Sequence, residues 1–212
     1  MPLPIREFSA AARPLLEALG LQRRAGEQYT LELEPDVLAW VGLSRMTEHR
    51  VLVVSPMVGV RHQAVERLVA ELLGLRFRPY SPATILSALG YLMPQGRWVP
   101  WRVEDEAAAV PRAVEIAGAI ADFGLPAARR YATLEAIERA LSAPGTMGSP
   151  RRATLIPVVL SLLDRTDEAR DVLARELETR RDRLDAEAQD YRRFADRLRD
   201  VWDRGLGPAS RP

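Results

Sequence analysis

The chain has 212 residues, 47% of them hydrophobic and 28% charged, and its 30 basic residues nearly balance 29 acidic ones for a net charge of +1. A chain of this length can bury a sizeable core. Cysteine is absent, which excludes disulfides, thiolate catalysis and cysteine-based zinc sites. The sequence contains no apolar run of about 18 residues and opens without the apolar stretch of a signal peptide. We therefore expect a cytoplasmic protein without membrane contact.

Charge is spread evenly along the chain. Residues 1–150 hold 16 arginines and 16 acids, and residues 151–212 hold 14 and 13. Nucleic-acid-binding domains usually concentrate basic residues in one region, so we expect no nucleic-acid partner. All 30 basic residues are arginine, and asparagine is also absent. Since lysine and asparagine codons are rich in A and T, we attribute this bias to a GC-rich genome.

The pattern of the first third predicts a helix followed by three strands. Apolar residues recur at helical spacing over residues 6–19, and Gly20 follows as a C-terminal signal. QYTLELE alternates apolar and polar side chains, as a half-buried strand does. VLAWVGLSRM continues the β character, TEH can turn, and RVLVVSPMVGV is apolar on both faces, as in a central strand. We expect an α+β fold with a small antiparallel β-meander and packed helices.

The middle of the chain changes to helical periodicity after His62. A helix that ends at Gly74 has the apolar face Val65, Leu68, Val69 and Leu72. SPATILSALG has the signature of a short helix, with Ser81 as N-cap, Pro82 in the first turn and Gly90 after the end. RWVPWRV is typical of an edge strand, because Pro100 cannot donate to a central ladder. Two further helices are AAAVPRAVEIAGAIADFG, ended by Gly124, and TLEAIERAL, capped by Thr133.

Glycine, proline and serine crowd together in SAPGTMGSP. This stretch predicts a boundary, with an α+β domain at 1–141, a linker at 142–150, a helical hairpin extension at 151–204 and a disordered tail at 205–212. In the extension, apolar residues recur at steps of three, four or seven: Leu173, Leu177, Leu184, Ala188, Tyr191, Ala195, Leu198 and Trp202.

This narrow seam predicts one long helix over residues 165–203. It would pack on residues 152–163 near its start and project toward a partner or a second copy of the chain beyond about residue 185. A homo-oligomer through the C-terminal helix is therefore one expectation. Leu184 and Leu198 are the predicted contact residues.

Gly59, Arg61 and His62 stand where the third strand gives way to a helix. One interpretation is an anion site, in which the helix start and Arg61 hold an anion and His62 acts as a general base, with Glu104 or Asp105 as the partner acid. The other is that Arg61 and His62 are solvated first-turn residues. The second is favoured, since no GxxxxGK[ST] or GxGxxG spacing is present.

Other catalytic patterns are missing from the sequence. It has no GxSxG, HExxH or DxDxDG motif and no paired histidines, so we predict no metal and no cofactor. Gly148 and Ser149 before Arg151 and Arg152 could hold a phosphate, but Ser149 followed by Pro150 is typical of an ordinary N-cap.

The stretch GRWVPWRVEDE is unusual because two tryptophans precede an acidic cluster. Trp98, Trp101, Glu104, Asp105 and Glu106 would suit a protein interface, in which tryptophans anchor and acids steer a basic partner. Alternatively the tryptophans fill the core while the acids favour the dipole of the next helix. The core interpretation is favoured for the tryptophans. For the acids, both a partner contact and a role at the helix start stay open.

The helix, the meander with WVGL, the strand ending in GVRH and the segment FGLPAARRYATLEAIERAL together resemble uncharacterised bacterial families grouped with immunity proteins of polymorphic toxin systems. The resemblance covers residues 5–141. It implies a non-enzymatic α+β protein that binds and neutralises a toxin. Our leading hypothesis is thus an intracellular protein-binding module. The alternatives are a small enzyme or ligand-binding protein with an anion site near Arg61 and His62, and a structural scaffold that self-associates.

Overall fold

The computed structural model describes residues 4–143, 145 and 147–205. Its fold class is α+β, as predicted, with an antiparallel sheet and packed helices. The strands are β1 (Gln22–Arg23), β2 (Gln28–Glu34), β3 (Val37–Glu48), β4 (Val51–His62), β5 (Ile85–Ala88) and β6 (Trp101–Val103). The helices are α1 (Ile5–Ala18), α2 (Gln63–Leu73), α3 (Leu89–Leu92), α4 (Glu106–Ala119), α5 (Leu125–Arg130), α6 (Leu134–Ser142), α7 (Arg152–Leu162), α8 (Thr166–Glu178) and α9 (Ala186–Asp203).

The predicted helix and three-stranded meander are confirmed as α1 followed by β2, β3 and β4. β3 and β4 pair along their whole length, from Val37 opposite His62 to Glu48 opposite Val51. The turn between them consists of two residues, His49 and Arg50, with positive φ angles of 48° and 65°. A two-residue turn of this conformation matches the twist of the flanking strands. His49 therefore lies in a turn, as predicted.

β4 is the central strand of the sheet. It pairs with β3 along one edge, and with β5 and β6 one after the other along its opposite edge. Successive residues such as Leu52, Val53 and Val54 are all buried. Because neighbouring side chains of a strand point to opposite faces, both faces of β4 are covered, as its continuous apolar run predicts.

The short helix predicted for residues 81–90 is wrong, because Ile85–Ala88 form β5. Pro82 follows a cis peptide bond instead of opening a helix. The segment pairs with β4, where Gly59 lies opposite Leu86, and Leu86 also bonds with Gly148 through both backbone groups (2.8 and 3.1 Å). Helical end signals were thus outweighed by backbone partners that only the tertiary fold supplies.

Two other predicted boundaries hold only in part. The edge strand is confined to Trp101–Val103, after Pro100. Gly124 does not end its helix, because α4 continues through a π-helical turn, Ile120–Gly124, into α5. A Cβ at Gly124 would lie 3.1 Å from Val58 Cγ2, so this glycine lets the helix approach β4 closely. The predicted cap at Thr133 is confirmed, since its Oγ1 accepts from Ala136 N at 3.2 Å.

The C-terminal helical hairpin is present as α7 and α8, but the single helix predicted over residues 165–203 is wrong. α8 ends at Glu178 and α9 begins at Ala186. Asp185 caps α9 by accepting from Ala188 N at 3.0 Å. Arg192 of α9 donates to three carbonyl oxygens of the intervening turn, those of Arg180, Arg181 and Arg183. These bonds satisfy carbonyls that a continuous helix would have used internally.

The helices after residue 151 share their core with the sheet. One cluster of buried apolar side chains contains Phe8 of α1, Val58 of β4, Leu155 of α7 and Leu198 of α9. α7 is buried at every position from 155 to 160, as expected of a helix that is apolar all round. The division into two domains stays a prediction. Within the predicted linker, residues 144 and 146 lie outside the described residues, as do residues 206–212 of the predicted tail.

The two leucines of the predicted contact seam should respond oppositely to a charge. Leu198 is fully buried whereas Leu184 is 82% exposed. We expect Leu198→Asp to destabilise the whole protein by about 4 kcal/mol, because it buries a carboxylate and leaves a cavity. Leu184→Asp should change the free energy of unfolding by less than about 0.5 kcal/mol. Urea denaturation checks both, and a folded Leu198→Asp protein would show that α9 is not part of the common core.

Gly59 is required by the pairing of β4 with β5. A Cβ there would lie 2.2 Å from the carbonyl oxygen of Ile85, and this backbone atom cannot move aside without breaking the ladder. Gly59→Ala should therefore cost at least about 2 kcal/mol. The matched variant Gly118→Ala, in helix α4 with open space around it, should stabilise the protein by about 0.5–1 kcal/mol. Equal melting temperatures of the two variants would contradict this account.

Candidate binding site

Arg61, near the end of β4, is buried and not a solvated first-turn residue. Its side chain is 1% exposed. Nε donates to Gln63 Oε1 (3.1 Å) and to the carbonyl oxygen of Pro79 (2.9 Å), while the two terminal nitrogens donate to the carbonyls of Pro82 and Arg78. Because these carbonyls belong to the segment between α2 and β5, Arg61 holds that segment against the end of the sheet.

Glu66, on the first turn of α2, is shared between two arginines. Its side chain is 4% exposed. Arg151 donates to both of its carboxylate oxygens (3.1 and 2.7 Å), and Arg61 Nη1 lies 3.6 Å from Oε2. Arg151 also donates to the carbonyl of Ala83 at 3.0 Å. We call Arg61, Glu66 and Arg151 the buried triad; Arg61 and Glu66 are buried, and the Arg151 side chain, 30% exposed, connects them to the surface.

The buried triad carries one more positive than negative charge. Burial lowers the pKa of the Arg61 guanidinium to about 10, while Glu66 opposes this decrease and Arg151 adds to it. Arg61 therefore keeps its proton at neutral pH. Arg151 is 30% exposed, so its part of the excess positive charge reaches solvent and is accessible to an anion.

A cleft of about 330 Å³ opens beside the buried triad. We call it the arginine cleft. Its charged lining comprises the triad together with Arg76 and Arg78, and its walls are formed by Val69, Ala70, Leu73, Leu75, Phe77 and Pro82. The volume is at the lower end of the range of ligand sites. Apolar walls above a positively charged cleft bottom favour a short ligand with an anionic group.

Two further hollows adjoin the arginine cleft at Leu73. One of about 250 Å³ lies toward Tyr191 and shares Leu73 and Arg151 with the cleft. The other, about 340 Å³, lies toward Arg197 and shares Leu73 and Leu75 with it. We call the three openings together the α2 groove, since they surround the C-terminal end of α2. The groove joins residues between 61 and 82 to residues between 150 and 197.

Arg61 and His62 were grouped by sequence, but the structure separates their side chains. They are consecutive residues of β4 and point to opposite faces. The imidazole Nδ1 is buried without a partner among the described residues. Burial lowers the pKa of His62, and Asp36 opposes this shift. His62 does not line the arginine cleft.

The proposed partner acids of His62 lie far from it. Val103, next to Glu104, pairs with Leu52 on β4. Arg61 lies nine residue steps along the strand from Leu52, which corresponds to about 30 Å. Asp105 caps α4 by accepting from Ala108 N at 2.9 Å. The catalytic arrangement predicted as the alternative, with Arg61, His62 and Glu104 or Asp105, is therefore not assembled.

The predicted tryptophan interface is only partly at the surface. Trp101 is 7% exposed and belongs to the core, whereas Trp98 is 49% exposed. Glu104, Asp105 and Glu106 are all exposed. We call Trp98 with these three acids the acidic face. Leu184 is exposed, but Leu198 is buried, so Leu198 offers no contact surface.

Several residues of the groove were not predicted. The sequence offers Arg151 and Arg152 as phosphate ligands, yet the partner of Arg151 is Glu66. The predicted N-cap at Ser149 is wrong, because α7 begins at Arg152 with Arg151 in the capping position and no side-chain cap; Ser149 Oγ instead accepts from Arg151 N at 3.2 Å in a local turn. One signal could have indicated that Glu66 is buried, because it lies one turn before Val69 on the buried side of α2. A buried carboxylate needs a cationic partner, but its identity depends on the fold.

No protein-family model matches this chain, and neither the curated proteins nor the solved structures give a significant match. Across the described part of the chain, no helix combines the length and the apolar character needed to cross a membrane. Over the same residues, no three histidine, aspartate or glutamate side chains are grouped so that they could hold a metal ion. The resemblance to immunity proteins stays a prediction, and the function has to be argued from the site.

Removing the charge of Glu66 tests the buried triad. Glu66→Gln leaves two guanidinium groups without a counter-ion, and we expect a loss of about 3 kcal/mol in the free energy of unfolding. Glu32→Gln, at an exposed strand position, should cost less than about 0.5 kcal/mol. Urea titrations of both variants measure the difference. Equal losses would show that the charge of Glu66 does not hold the cluster together.

Proposed function

We propose that this chain is a protein-binding module and that the α2 groove is its binding face. The partner presents a segment with acidic and apolar side chains. The observation that carries the proposal is Leu75, which is 63% exposed at the junction of two hollows and has arginines around it. A large exposed apolar side chain within a lined depression is typical of an interaction site.

The charge of the groove supports an acidic partner. Seven arginines line its three hollows, namely Arg61, Arg76, Arg78, Arg151, Arg180, Arg193 and Arg197, against the acids Glu66, Glu187 and Asp190. This excess of four positive charges contrasts with a net charge of +1 for the whole chain. Complementary charge accelerates encounter and selects against basic partners.

The division of the groove into three hollows favours a polypeptide partner over a compact small molecule. The hollows have similar volumes of about 330, 250 and 340 Å³ and meet at Leu73. Side chains that project from one peptide segment can enter separate pockets, while its backbone stays at the surface. Direct binding of this kind would neutralise the partner, as expected of an immunity protein that blocks a toxin.

The acidic face is a second candidate for the binding surface. Trp98 is half exposed and precedes three exposed acids, a combination that would attract a basic partner. The two faces make opposite demands on the charge of the partner, so a single selection separates them.

The test is selection of peptides from a random display library on the immobilised protein. We expect the enriched peptides to carry net negative charge with leucine or phenylalanine. Their affinity, measured by fluorescence anisotropy, should fall by roughly tenfold for Leu75→Ser. The matched variant Leu184→Ser, at an even more exposed leucine, should bind as the parent protein does.

Two results would overturn the choice of the α2 groove. Enriched basic peptides that lose affinity for Trp98→Ser but not for Leu75→Ser would identify the acidic face as the binding surface. A library with no enrichment over the blank support would contradict both faces as peptide-binding surfaces.

A further inference from the structure

We infer that the arginine cleft is an anchor site for a carboxylate joined to a short apolar chain. The inference deepens the proposed function, and rests on it, because it names the group that the partner inserts beside Arg151. The same chemistry is present in a small organic acid, so the site can be examined without the partner.

Three guanidinium groups at the cleft still have donors to offer. The side chains of Arg76 and Arg78 have no hydrogen-bond or ion-pair partner among residues 4–143, 145 and 147–205, although both line the cleft. Arg151 uses its two terminal nitrogens for Glu66 and Ala83. Its Nε–H has no hydrogen-bond acceptor within the same set of residues. These donors surround the opening from two different segments of the chain.

The charge balance favours an anion of single charge. The buried triad has two guanidinium groups and one carboxylate, so one negative charge neutralises it. Arg76 and Arg78 add two positive charges to the cleft, but both are exposed, so water and salt screen them. A carboxylate supplies that charge and accepts charge-assisted hydrogen bonds from arginine with good geometry. A phosphate dianion would place a second negative charge close to Glu66, where the like charges repel.

The walls determine what the carboxylate is attached to. Val69, Ala70, Leu73, Leu75 and Phe77 provide apolar surface between the base of the cleft and its rim. The Phe77 ring is already covered by Arg67 and Arg61, whose guanidinium carbons lie 5.0 and 5.4 Å from its centre. A short alkyl chain fits such walls, whereas a sugar or a second polar group would lose hydrogen bonds to water without replacement.

Octanoate is a suitable probe because it joins a carboxylate to a short alkyl chain, and octanol is its uncharged counterpart. By isothermal titration calorimetry of the full chain, octanoate should bind saturably at one site. Octanol should bind at least about tenfold more weakly, since it lacks the charge that meets the arginines. Raised salt should weaken octanoate binding, because the rim arginines are exposed to screening.

Neighbouring arginines supply matched variants. Arg151→Gln should weaken octanoate binding by about tenfold. Arg152→Gln should leave it within about twofold, because Arg152 donates outside the cleft, to the carbonyl of Ser142 at 3.1 Å. Arg76→Gln is a second variant in case Arg151→Gln fails to fold, since Arg76 is exposed. It should weaken octanoate binding by roughly threefold to fivefold. Circular dichroism establishes that each variant is folded.

Each failure has a distinct meaning. Equal binding of octanoate and octanol, equal effects of Arg151→Gln and Arg152→Gln, or no saturable binding would each overturn the carboxylate site. Octanoate that binds but does not displace the selected peptides would overturn its role as the partner's anchor. Peptides that bind through Leu75 in the absence of octanoate binding would preserve the proposed function and refute this inference alone.

Discussion

The arrangement of this molecule depends on one interaction, the pairing of the Glu66 carboxylate with Arg61 and Arg151. Arg61 belongs to β4, Glu66 to α2, and Arg151 to the segment that leads into α7. Arg61 also holds the segment before β5 through three of its carbonyl oxygens. Four parts of the chain therefore meet at one cluster, whose buried members, Arg61 and Glu66, are stable in the interior only while they stay paired and hydrogen-bonded.

The same cluster connects stability with the proposed binding site. A purely structural ion pair would be neutral, but two arginines share one acid here and Arg61 has a pKa lowered by burial. The excess charge lies at the base of a cleft that Phe77 and Leu75 line with apolar surface. Sites that keep such an unbalanced charge are frequently functional, because the charge of a ligand neutralises the excess charge of the protein.

Local patterns predicted the elements whose signal is a periodicity, a continuous apolar run or a single cap. The strand at QYTLELE, the continuous apolar run of β4 and the cap at Thr133 all correspond to the structure. Thr30 departs from the predicted alternation, because it is buried on the face expected to be polar. Patterns failed where backbone groups found distant partners. Residues 85–88 bond with β4 and Gly148, and the carbonyls of the turn after α8 accept from Arg192.

The sequence by itself determined the fold class, the meander with β4 as its central strand, and the helices whose apolar residues recur on one face, because these depend on periodicities of two and 3.6 residues. It also singled out Arg61, though not its burial. Only the tertiary structure decided that the seven arginines of the α2 groove are neighbours, since they come from separate segments of a chain with evenly spread charge. The physical reason is that electrostatic and packing contacts depend on distance in space, which local sequence spacing does not record.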